Sequence, residues 1–389
     1  MPGLVKDDTN SMGTTWSKSF VMRGFMLHAC LGTAFLLFCF SKPLADQTVT
    51  SSNPNGQSPT QAAIQKGSRL LSINPNMSED NDYERSFTMA QRVGMQQLSL
   101  PLDWRDIEVH PGIYRNPYLK IANNYYPPKK VAVDLAIRPV STNRKSVPDD
   151  LTLLAFSDAQ MISRFQKLMD FVFSQTSQLT LSSIVIGAEC DLYFKKDETL
   201  WKQYTVFCKS IAKYLRTRKA GVPIAFEATY PGLVGTCKEE LKTLNQFSDV
   251  VGVSYYPVGA NFVVKDPSTV KDDFQAITSI YPNRKLYFYQ FGYPSSQILN
   301  SSEEKQAKFI EAAFAAWDAY ATQIGMINFT PMTDCSEKET ASQAHYFGLT
   351  QNSGFSEFLQ TLGLRRYPKS GEDKPAFLAL QREAKARGW

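Results

Sequence analysis

The chain has 389 residues, of which 43% are hydrophobic and 20% are charged, with 21 glycines and 21 prolines. This composition is typical of a globular protein and excludes a disordered or collagen-like chain. The 42 basic and 37 acidic residues give a formal net charge of +5. That charge is too small to indicate a nucleic-acid-binding protein, for which a clustered basic surface is expected.

The first 45 residues have the pattern of a targeting segment. Residues 24–40 carry no charge, Arg23 precedes them, Lys42 follows, and Ala45 provides a small residue at the end. A basic start, an apolar stretch and a small residue are the parts of a signal peptide. Because the apolar stretch is also near the minimum length that spans a bilayer, an uncleaved signal anchor is the alternative. Either interpretation predicts export, to the periplasm, the extracellular space or the outer side of a membrane.

Residues 46–67 are rich in Ser, Thr, Gln, Asn and Pro and predict a polar, disordered linker. The range 68–389 is predicted to form a single domain. Four cysteines lie in that domain, namely Cys190, Cys208, Cys237 and Cys335. They form no C-x-x-C pair and the chain has only three histidines, so no zinc site is indicated. Disulfides and buried free thiols both stay open, and no metal or organic cofactor is implied.

Eight short apolar runs alternate with amphipathic stretches along this domain. The runs predicted to be strands are 69–73, 95–100, 131–137, 183–187, 223–229, 250–255, 285–290 and 325–330. The clearest helical spacings cover 159–173, 200–215 and 303–321. Eight such units predict an α/β fold, a (β/α)8 TIM barrel. A doubly wound open sheet is the alternative, but no glycine-rich nucleotide-binding motif follows any strand.

The active sites of (β/α)8 barrels lie where the strands end. Acidic, amide and aromatic residues occupy these positions here: Asp103, Trp104, Glu189, Asp191, Glu227, Tyr255, Tyr256, Gln290, Tyr293 and Asp334. Carboxyl groups perform the acid, base and nucleophile chemistry of glycoside hydrolysis. Aromatic side chains offer a broad apolar face with a polar edge, which suits contact with sugar rings. The pattern therefore indicates a carbohydrate cleft at this end of the barrel.

The range from about 69 to 389 resembles the clan A retaining glycoside hydrolases, nearest to galactanase-like barrels. The resemblance is carried by LPLDWRDIEVHPGIY (100–114), IGAECDLYF (186–194), VVGVSYYP (250–257), FYQFGYPSS (288–296) and GLRRYPKSGEDKPAF (363–377). It implies that Glu189 occupies the acid/base position after strand 4, with Ala188 in place of the clan's asparagine. It also implies that Gln290 occupies the nucleophile position at the end of strand 7, where the clan has glutamate.

Both departures bear on catalysis. The Gln290 amide is uncharged and weakly nucleophilic, so it cannot balance the charge of an oxocarbenium-like transition state. Ala188 removes the contact to the sugar 2-hydroxyl that the resemblance implies. Without an anion at position 290, Glu189 is expected to ionise more readily and to be a poorer acid. We also expect Glu189 and Gln290 to face each other across a cleft, at the separation of about 5–5.5 Å that retaining enzymes need.

Three functions follow from these residues. The first is an exported barrel that binds carbohydrate with lost or strongly reduced hydrolysis. The second is an active O-glycosidase that uses Glu189 with a non-standard second carboxylate such as Glu227 or Asp191. The third is a non-catalytic scaffold or interaction module. Nucleic acid is not expected as a partner, a membrane is expected only through an uncleaved anchor, and the oligomeric state stays open.

Seven residues are candidate ligand contacts: Asp103, Trp104, Ala188, Tyr255, Tyr256, Tyr293 and Asp334. The side chains of Tyr255 and Tyr256 point to opposite sides of a strand, so only one of them can face the barrel interior. The resemblance implies that the inward tyrosine is the partner of the nucleophile position.

Overall fold

The computed structural model describes residues 63–76, 82–367 and 371–389. The predicted targeting segment (1–45) and residues 46–62 of the predicted linker lie outside these ranges, so both stay predictions. Residues at the end of the linker range contact the barrel, since the Ile64 amide donates to Asp318 and the Lys66 amide to the Arg387 carbonyl. Within the described ranges, no helix has both the length and the apolar character needed to span a membrane.

Eight parallel strands form a closed barrel. They are β1 (Leu70–Ile73), β2 (Gln97–Asp103), β3 (Ala132–Ser141), β4 (Leu181–Ala188), β5 (Ile224–Thr229), β6 (Val250–Tyr255), β7 (Lys285–Phe291) and β8 (Ile324–Phe329). Each strand pairs with the next one along the chain, and β8 pairs with β1 to close the ring. The predicted (β/α)8 barrel and its eight strands are confirmed.

Helices surround the barrel. Those of the described ranges are α1 (Tyr83–Val93), α2 (Trp104–Ile107), α3 (Pro117–Tyr125), α4 (Ala159–Gln175), α5 (Cys190–Phe194), α6 (Glu198–Arg218), α7 (Lys238–Leu244), α8 (Thr269–Ile280), α9 (Glu303–Ala319), α10 (Glu337–Phe347), α11 (Ser353–Thr361) and α12 (Pro375–Ala386). A hairpin of Glu108–His110 and Ile113–Tyr114 follows α2, and Arg144–Lys145 pairs antiparallel with the end of β3.

Side-chain caps explain where the long helices begin. Asp158 accepts a hydrogen bond from the Gln160 amide at 2.7 Å at the start of α4. Ser302 accepts one from the Lys305 amide at 3.1 Å at the start of α9. These contacts satisfy backbone donors that have no partner inside the helix. The predicted ranges 159–173, 200–215 and 303–321 correspond to α4, α6 and α9, with differences only near the ends.

The N-terminal half of the barrel interior contains a buried carboxyl group. Asp134 of β3 accepts hydrogen bonds from Gln97 at 2.9 Å, Ser182 at 2.8 Å and Ser183 at 2.5 Å. The Tyr289 hydroxyl donates to Ser183 and extends this network towards the other end of the barrel. Burial raises the pKa of Asp134 to about 7, although the hydrogen bonds from the two serines lower it. The donors that surround Asp134 make it an interior structural acid.

A second buried charge cluster joins the two ends of the described chain at the base of the barrel. Asp318 of α9 lies between Arg69 at 2.7 Å and Arg387 at 2.7 Å. The Arg69 guanidinium also lies over the rings of Trp317 and Trp389, 5.2 and 5.3 Å from their centroids. We call Arg69, Asp318 and Arg387 the base cluster. It fixes the segment before β1 against α9 and the C-terminal end of the chain.

The connection between β8 and α12 carries two extra helices, and α10 contacts the opposite side of the barrel mouth. The Tyr346 hydroxyl donates to Asp103 at 2.5 Å, and the Tyr346 carbonyl accepts from Arg144 at 2.6 Å. The α11 helix is held by apolar packing instead, with Phe358 against the ring of Tyr256. Together these contacts cover part of the end of the barrel where the strands terminate.

The four cysteines within the described ranges are free and buried. Of the two alternatives that the sequence leaves open, this structure has buried thiols and not disulfides. Burial raises the pKa of Cys190 and of Cys208 well above the ordinary value of a thiol. Since the thiolate is the reactive form of cysteine, neither side chain is a ready nucleophile.

Candidate functional site at the C-terminal end of the barrel

A small pocket lies at the C-terminal ends of the strands, and an amide and a carboxyl group meet at its wall. The Gln290 Nε2 group of β7 donates to Glu227 Oε1 of β5 at 2.8 Å. The Gln290 Oε1 atom accepts from the Tyr256 hydroxyl at 3.2 Å. Both Glu227 and Gln290 border the pocket. The nitrogen of the Gln290 amide therefore donates to a carboxyl group, and its oxygen accepts from a phenol.

The environment of Glu227 favours its neutral form. Burial raises its pKa to about 7, while the hydrogen bond from Gln290 and the positive charge of Arg138 lower it. A carboxyl group whose pKa is near neutrality can donate or accept a proton under ordinary conditions. Perturbed carboxyl groups in a cleft are also typical of functional sites. Glu227 is thus the pocket residue best suited to acid/base chemistry.

Glu189 lies at the predicted position in the chain but does not border the pocket. Its side chain is 0% exposed. Oε1 accepts from the Ser254 hydroxyl at 2.6 Å, and Oε2 accepts from the Thr142 hydroxyl at 2.9 Å. It is Ala188, the preceding residue, that borders the pocket. The expected arrangement of Glu189 facing Gln290 across an open cleft is therefore replaced by a sealed carboxyl group beside the pocket.

The local backbone accounts for this orientation. Gly187 has φ 77°, and a Cβ at that position would lie 2.4 Å from the Tyr204 hydroxyl of α6. Glu189 then adopts the left-handed conformation, with φ 48° and ψ 43°, which is uncommon for a residue with a side chain. The chain thus passes from β4 to α5 through two residues with positive φ, and the Glu189 side chain reaches Ser254 of β6.

The pKa of Glu189 changes in the direction opposite to the expectation. The sequence predicted easier ionisation because Gln290 carries no charge. Burial, however, raises the pKa of Glu189 well above its ordinary value, and the nearby Glu227 raises it further, against the hydrogen bonds from Ser254 and Thr142. For the pKa of Glu189, the absence of an anion at position 290 matters less than burial, because removing a carboxylate from water strongly disfavours its charged form.

An arginine borders the same pocket and is paired with a buried aspartate. Arg138, at the end of β3, borders the pocket and pairs through Nε with Asp103 Oδ1 at 2.6 Å. The second oxygen of Asp103 accepts from Tyr346. Asp103 is 0% exposed, so it acts by holding Arg138 and Tyr346 in place. We call Asp103, Arg138, Glu227, Tyr256 and Gln290 the mouth network.

The two adjacent tyrosines of β6 have different surroundings. Tyr256 is the hydrogen-bond partner of Gln290. Tyr255 points to the outer side of the strand, where its hydroxyl donates to Asp273 at 2.7 Å and its ring stacks on Phe291. Of the pair, Tyr256 alone belongs to the mouth network, and Tyr255 is removed from the candidate ligand contacts.

Two other candidate contacts, both aromatic, are held by the fold. Trp104 is 0% exposed, packs on Phe165 and donates to Glu108 at 2.8 Å, so no ring face is open to a sugar. The Tyr293 hydroxyl donates to the Lys265 carbonyl, with the ring stacked on Phe309. Neither aromatic side chain borders the pocket, because each is needed to anchor a helix or a loop.

The other two aspartates at strand ends also have structural partners. Asp191 accepts from both the backbone and the hydroxyl of Thr229, at 2.8 and 2.6 Å, and so fixes the turn after β5. Asp334 pairs with the buried Lys374 at 2.7 Å and thereby anchors the connection that carries α10 and α11. These contacts remove Asp334 from the ligand contacts and make Asp191 a poor choice for a second catalytic carboxylate.

Sequence reasoning missed part of the pocket lining. Asn74, Arg138 and Thr330 border the pocket, and each lies at or directly after the end of a predicted strand. Their position at the ends of the first, third and eighth predicted strands is the signal in the sequence that identifies them. Tyr346 gave no such signal, because its place beside Asp103 depends on how an inserted helix folds over the barrel.

The size of the pocket limits its chemistry. Its volume is about 30 Å³, which is room for about two water molecules. Pockets that bind organic ligands typically measure about 300–1,000 Å³. In this conformation a sugar ring therefore does not fit between Glu227 and Arg138. Within the described ranges, no group of three His, Cys, Asp or Glu residues is placed to hold a metal ion.

Comparison with known proteins gives structural matches but no sequence match. No family model and no curated protein sequence matches the chain. An exo-β-1,4-mannosidase from Opitutaceae bacterium strain TAV5 superposes with a TM-score of 0.64 at 15% identity, over 82% of this chain and 59% of that one. This chain therefore has the same (β/α)8 barrel fold as that glycoside hydrolase.

Two further structures support this fold assignment. A GH5_18 protein from Streptomyces cattleya, in complex with GlcNAc, gives a TM-score of 0.64 at 11% identity, over 84% of this chain and 82% of that one. Xylanase10C from Cellvibrio japonicus, in complex with xylopentaose, gives 0.59 at 12% identity, over 84% and 68%. At such identities the matches establish the fold, and the chemistry must be argued from the residues of this chain.

Proposed function

We propose that this glycoside-hydrolase-type barrel binds carbohydrate and has lost retaining hydrolysis. The observation that carries the proposal is the Gln290 amide, which is held between Glu227 and Tyr256 at the position implied for the nucleophile. A retaining enzyme needs a carboxylate there to attack the anomeric carbon. An amide offers no negative charge for that step.

The state of the second carboxyl group supports the same conclusion. Glu189 is buried, with both oxygens accepting hydrogen bonds from hydroxyl groups, so it has no route to a glycosidic oxygen in this conformation. Carbohydrate binding is proposed from the fold, since the GH5_18 protein and Xylanase10C were captured with GlcNAc and xylopentaose. The proposal also includes export, which the pattern of residues 1–45 predicts.

A second candidate is an active hydrolase centred on Glu227. The observation in its favour is that Glu227 borders the pocket with a pKa of about 7, as an acid/base catalyst requires. Such an enzyme would need the mouth to open, because the pocket does not admit a sugar ring in this conformation. Its second carboxylate would have to come from Glu189 after a change in the turn that follows β4.

The test is to mix the protein with neutral β-linked glycans (β-1,4-galactan, β-glucan and xylan) and measure both binding and glycan length. Affinity electrophoresis gives the binding, and size-exclusion chromatography of the recovered glycan gives the length. We expect retarded migration with glycan of unchanged length. Shortened glycan with wild-type protein but not with Glu227→Gln would establish the second candidate instead. Failure of folded protein to bind any of the glycans would favour the scaffold or interaction module.

The Gln290→Glu variant examines the nucleophile position separately. It would place two carboxyl groups at hydrogen-bond distance, so one of them should stay protonated. We expect no hydrolysis of aryl β-glycosides by Gln290→Glu alone. The pocket beside these two groups does not admit a sugar ring in this conformation. Hydrolysis by the single variant would show that the mouth already admits a sugar.

A further inference from the structure

A second and larger depression lies on the same side of the barrel, away from the mouth network. It runs between the loop after β6, the loop after β7 and the turn that joins α10 to α11, and we call it the rim groove. Its volume is about 630 Å³, against about 30 Å³ for the pocket at the mouth. Of these two cavities, the rim groove is the one with the size of an organic-ligand site.

The walls of the rim groove are fixed by contacts of the fold. The loop after β6 is closed by the Gly259 amide donating to the Val263 carbonyl at 2.7 Å. The Val264 amide donates to the Leu299 carbonyl at 2.9 Å and ties this loop to the one after β7. Gly354 at the start of α11 approaches the Asn261 carbonyl so closely that a Cβ would lie 2.7 Å from it. The groove is therefore preformed and does not require a loop to close.

The chemistry of the lining indicates an uncharged ligand. None of the residues that line the rim groove is acidic or basic. Side-chain amides come from Asn261, Gln351 and Asn352, beside the aliphatic side chains of Val263 and Ile298. Amides both donate and accept hydrogen bonds, as the neighbouring hydroxyl groups of a sugar require. Ile298 is 77% exposed and offers an apolar contact for the C–H face of a sugar ring.

We propose that the rim groove is a binding site for a neutral oligosaccharide. This inference rests on the proposed function and makes it more specific, because it places the glycan outside the closed mouth. An anionic glycan such as polygalacturonate would find no counter-charge among the residues that line the groove. The binding of carbohydrate and the loss of hydrolysis then belong to different places on the same face of the barrel.

The experiment uses affinity electrophoresis and calorimetry with xylo-oligosaccharides, β-1,4-galactan and, as the charged probe, polygalacturonate. The Ile298→Asp variant puts a charge in the groove at an exposed position, so folding should be preserved. Leu153→Asp is the matched control, since Leu153 is 98% exposed and does not line the groove. We expect Ile298→Asp to weaken binding of the neutral glycans at least tenfold. Leu153→Asp should change it less than twofold.

The failures of the two proposals are distinguishable. Wild-type protein that binds a neutral glycan, together with an Ile298→Asp variant that binds it equally well, would overturn the rim groove and leave the proposed function standing. Tighter binding of polygalacturonate than of the neutral glycans would also overturn the neutral site. Folded wild-type protein that binds none of the neutral glycans would overturn both proposals. A Gln351→Ala variant, with a smaller expected loss of about threefold, supplies an independent check.

Discussion

The base cluster and the mouth network are both buried and both contain paired charges. They differ in the number of carboxyl groups relative to the number of guanidinium groups. In the base cluster one carboxylate, Asp318, lies between two guanidinium groups. In the mouth network one guanidinium, Arg138, pairs with Asp103 and lies near a second carboxyl group, Glu227. The hydrogen-bond partner of Glu227 is the neutral amide of Gln290. The mouth therefore has one more carboxyl group than it has cations to balance.

This difference separates a structural cluster from a site that can exchange protons. Every oxygen of Asp318 accepts from a charged donor or a backbone amide, so its ionised form is fully compensated. Glu227 has an amide as its donor and borders a water-sized pocket, and its pKa is raised to about 7. Both carboxyl groups are buried, so burial alone does not distinguish a functional carboxyl group from a structural one. The hydrogen-bond and ion-pair partners of the group make that distinction.

The largest effect is expected at the base. The Asp318→Ala substitution would leave Arg69 buried without its counter-ion, and Arg387 would keep only its pair with Glu383. Removing one partner of a buried ion pair costs about 3–5 kcal/mol, and we expect that loss in the free energy of unfolding measured with urea. The control is Glu311→Ala, which breaks an exposed pair with Arg382 and should cost less than about 1 kcal/mol. Equal losses in the two variants would contradict the assignment of the base cluster.

The next effect is the pH dependence that Glu227 imposes on stability. Its folded pKa of about 7 exceeds the ordinary value of 4.5, so the folded state favours the protonated form. Its contribution is fully present below pH 4.5 and is lost as the pH rises through about 7. Glu227→Gln stays neutral, so its stability relative to wild type should rise between pH 5 and pH 8 by roughly 3 kcal/mol.

Urea unfolding at a series of pH values measures this difference. Asp134 and Glu189 are present in both proteins, so the difference reports Glu227 together with its effect on the pKa of Glu189. Glu198→Gln is the matched control, because Glu198 is 80% exposed and its substitution should give a flat difference. A flat difference for Glu227→Gln as well would mean that Glu227 ionises normally in the folded protein, and the contrast with Asp318 would disappear.

The smallest effect concerns the contact between Tyr256 and Gln290. Tyr256→Phe removes one donor from a buried amide, which should cost about 1 kcal/mol of stability. A double-mutant cycle with Gln290→Met isolates the contact, and we expect a coupling energy of about 1 kcal/mol. Strictly additive losses would show that the two side chains do not interact in solution.

The sequence predicted the barrel well because apolar strands and amphipathic helices are local patterns. The β1 to β8 strands each overlap a predicted run, and Asp158 and Ser302 cap the helices that they precede. The positions of Glu227 and Gln290 near strand ends were likewise readable, since the barrel fixes where the strand ends meet.

The direction in which a side chain points, and which residues cover it, could not be predicted from the sequence in the same way. Glu189 has a left-handed backbone two residues after Gly187, which packs against Tyr204 in a contact between β4 and α6. Trp104 was predicted as a candidate ligand contact, but α4 covers it through Phe165. Asp103 is contacted by Tyr346 from an insertion more than 200 residues away along the chain. Each of these features depends on tertiary contacts that no local pattern encodes.

The most direct test of the account is the release of aglycone from a panel of aryl β-glycosides by the wild-type protein between pH 5 and pH 8. The account predicts no release above the buffer rate at any pH, because Gln290 supplies no nucleophile and Glu189 is sealed from the pocket. Release above that rate in the wild-type protein, abolished in both Glu189→Gln and Glu227→Gln, would contradict it.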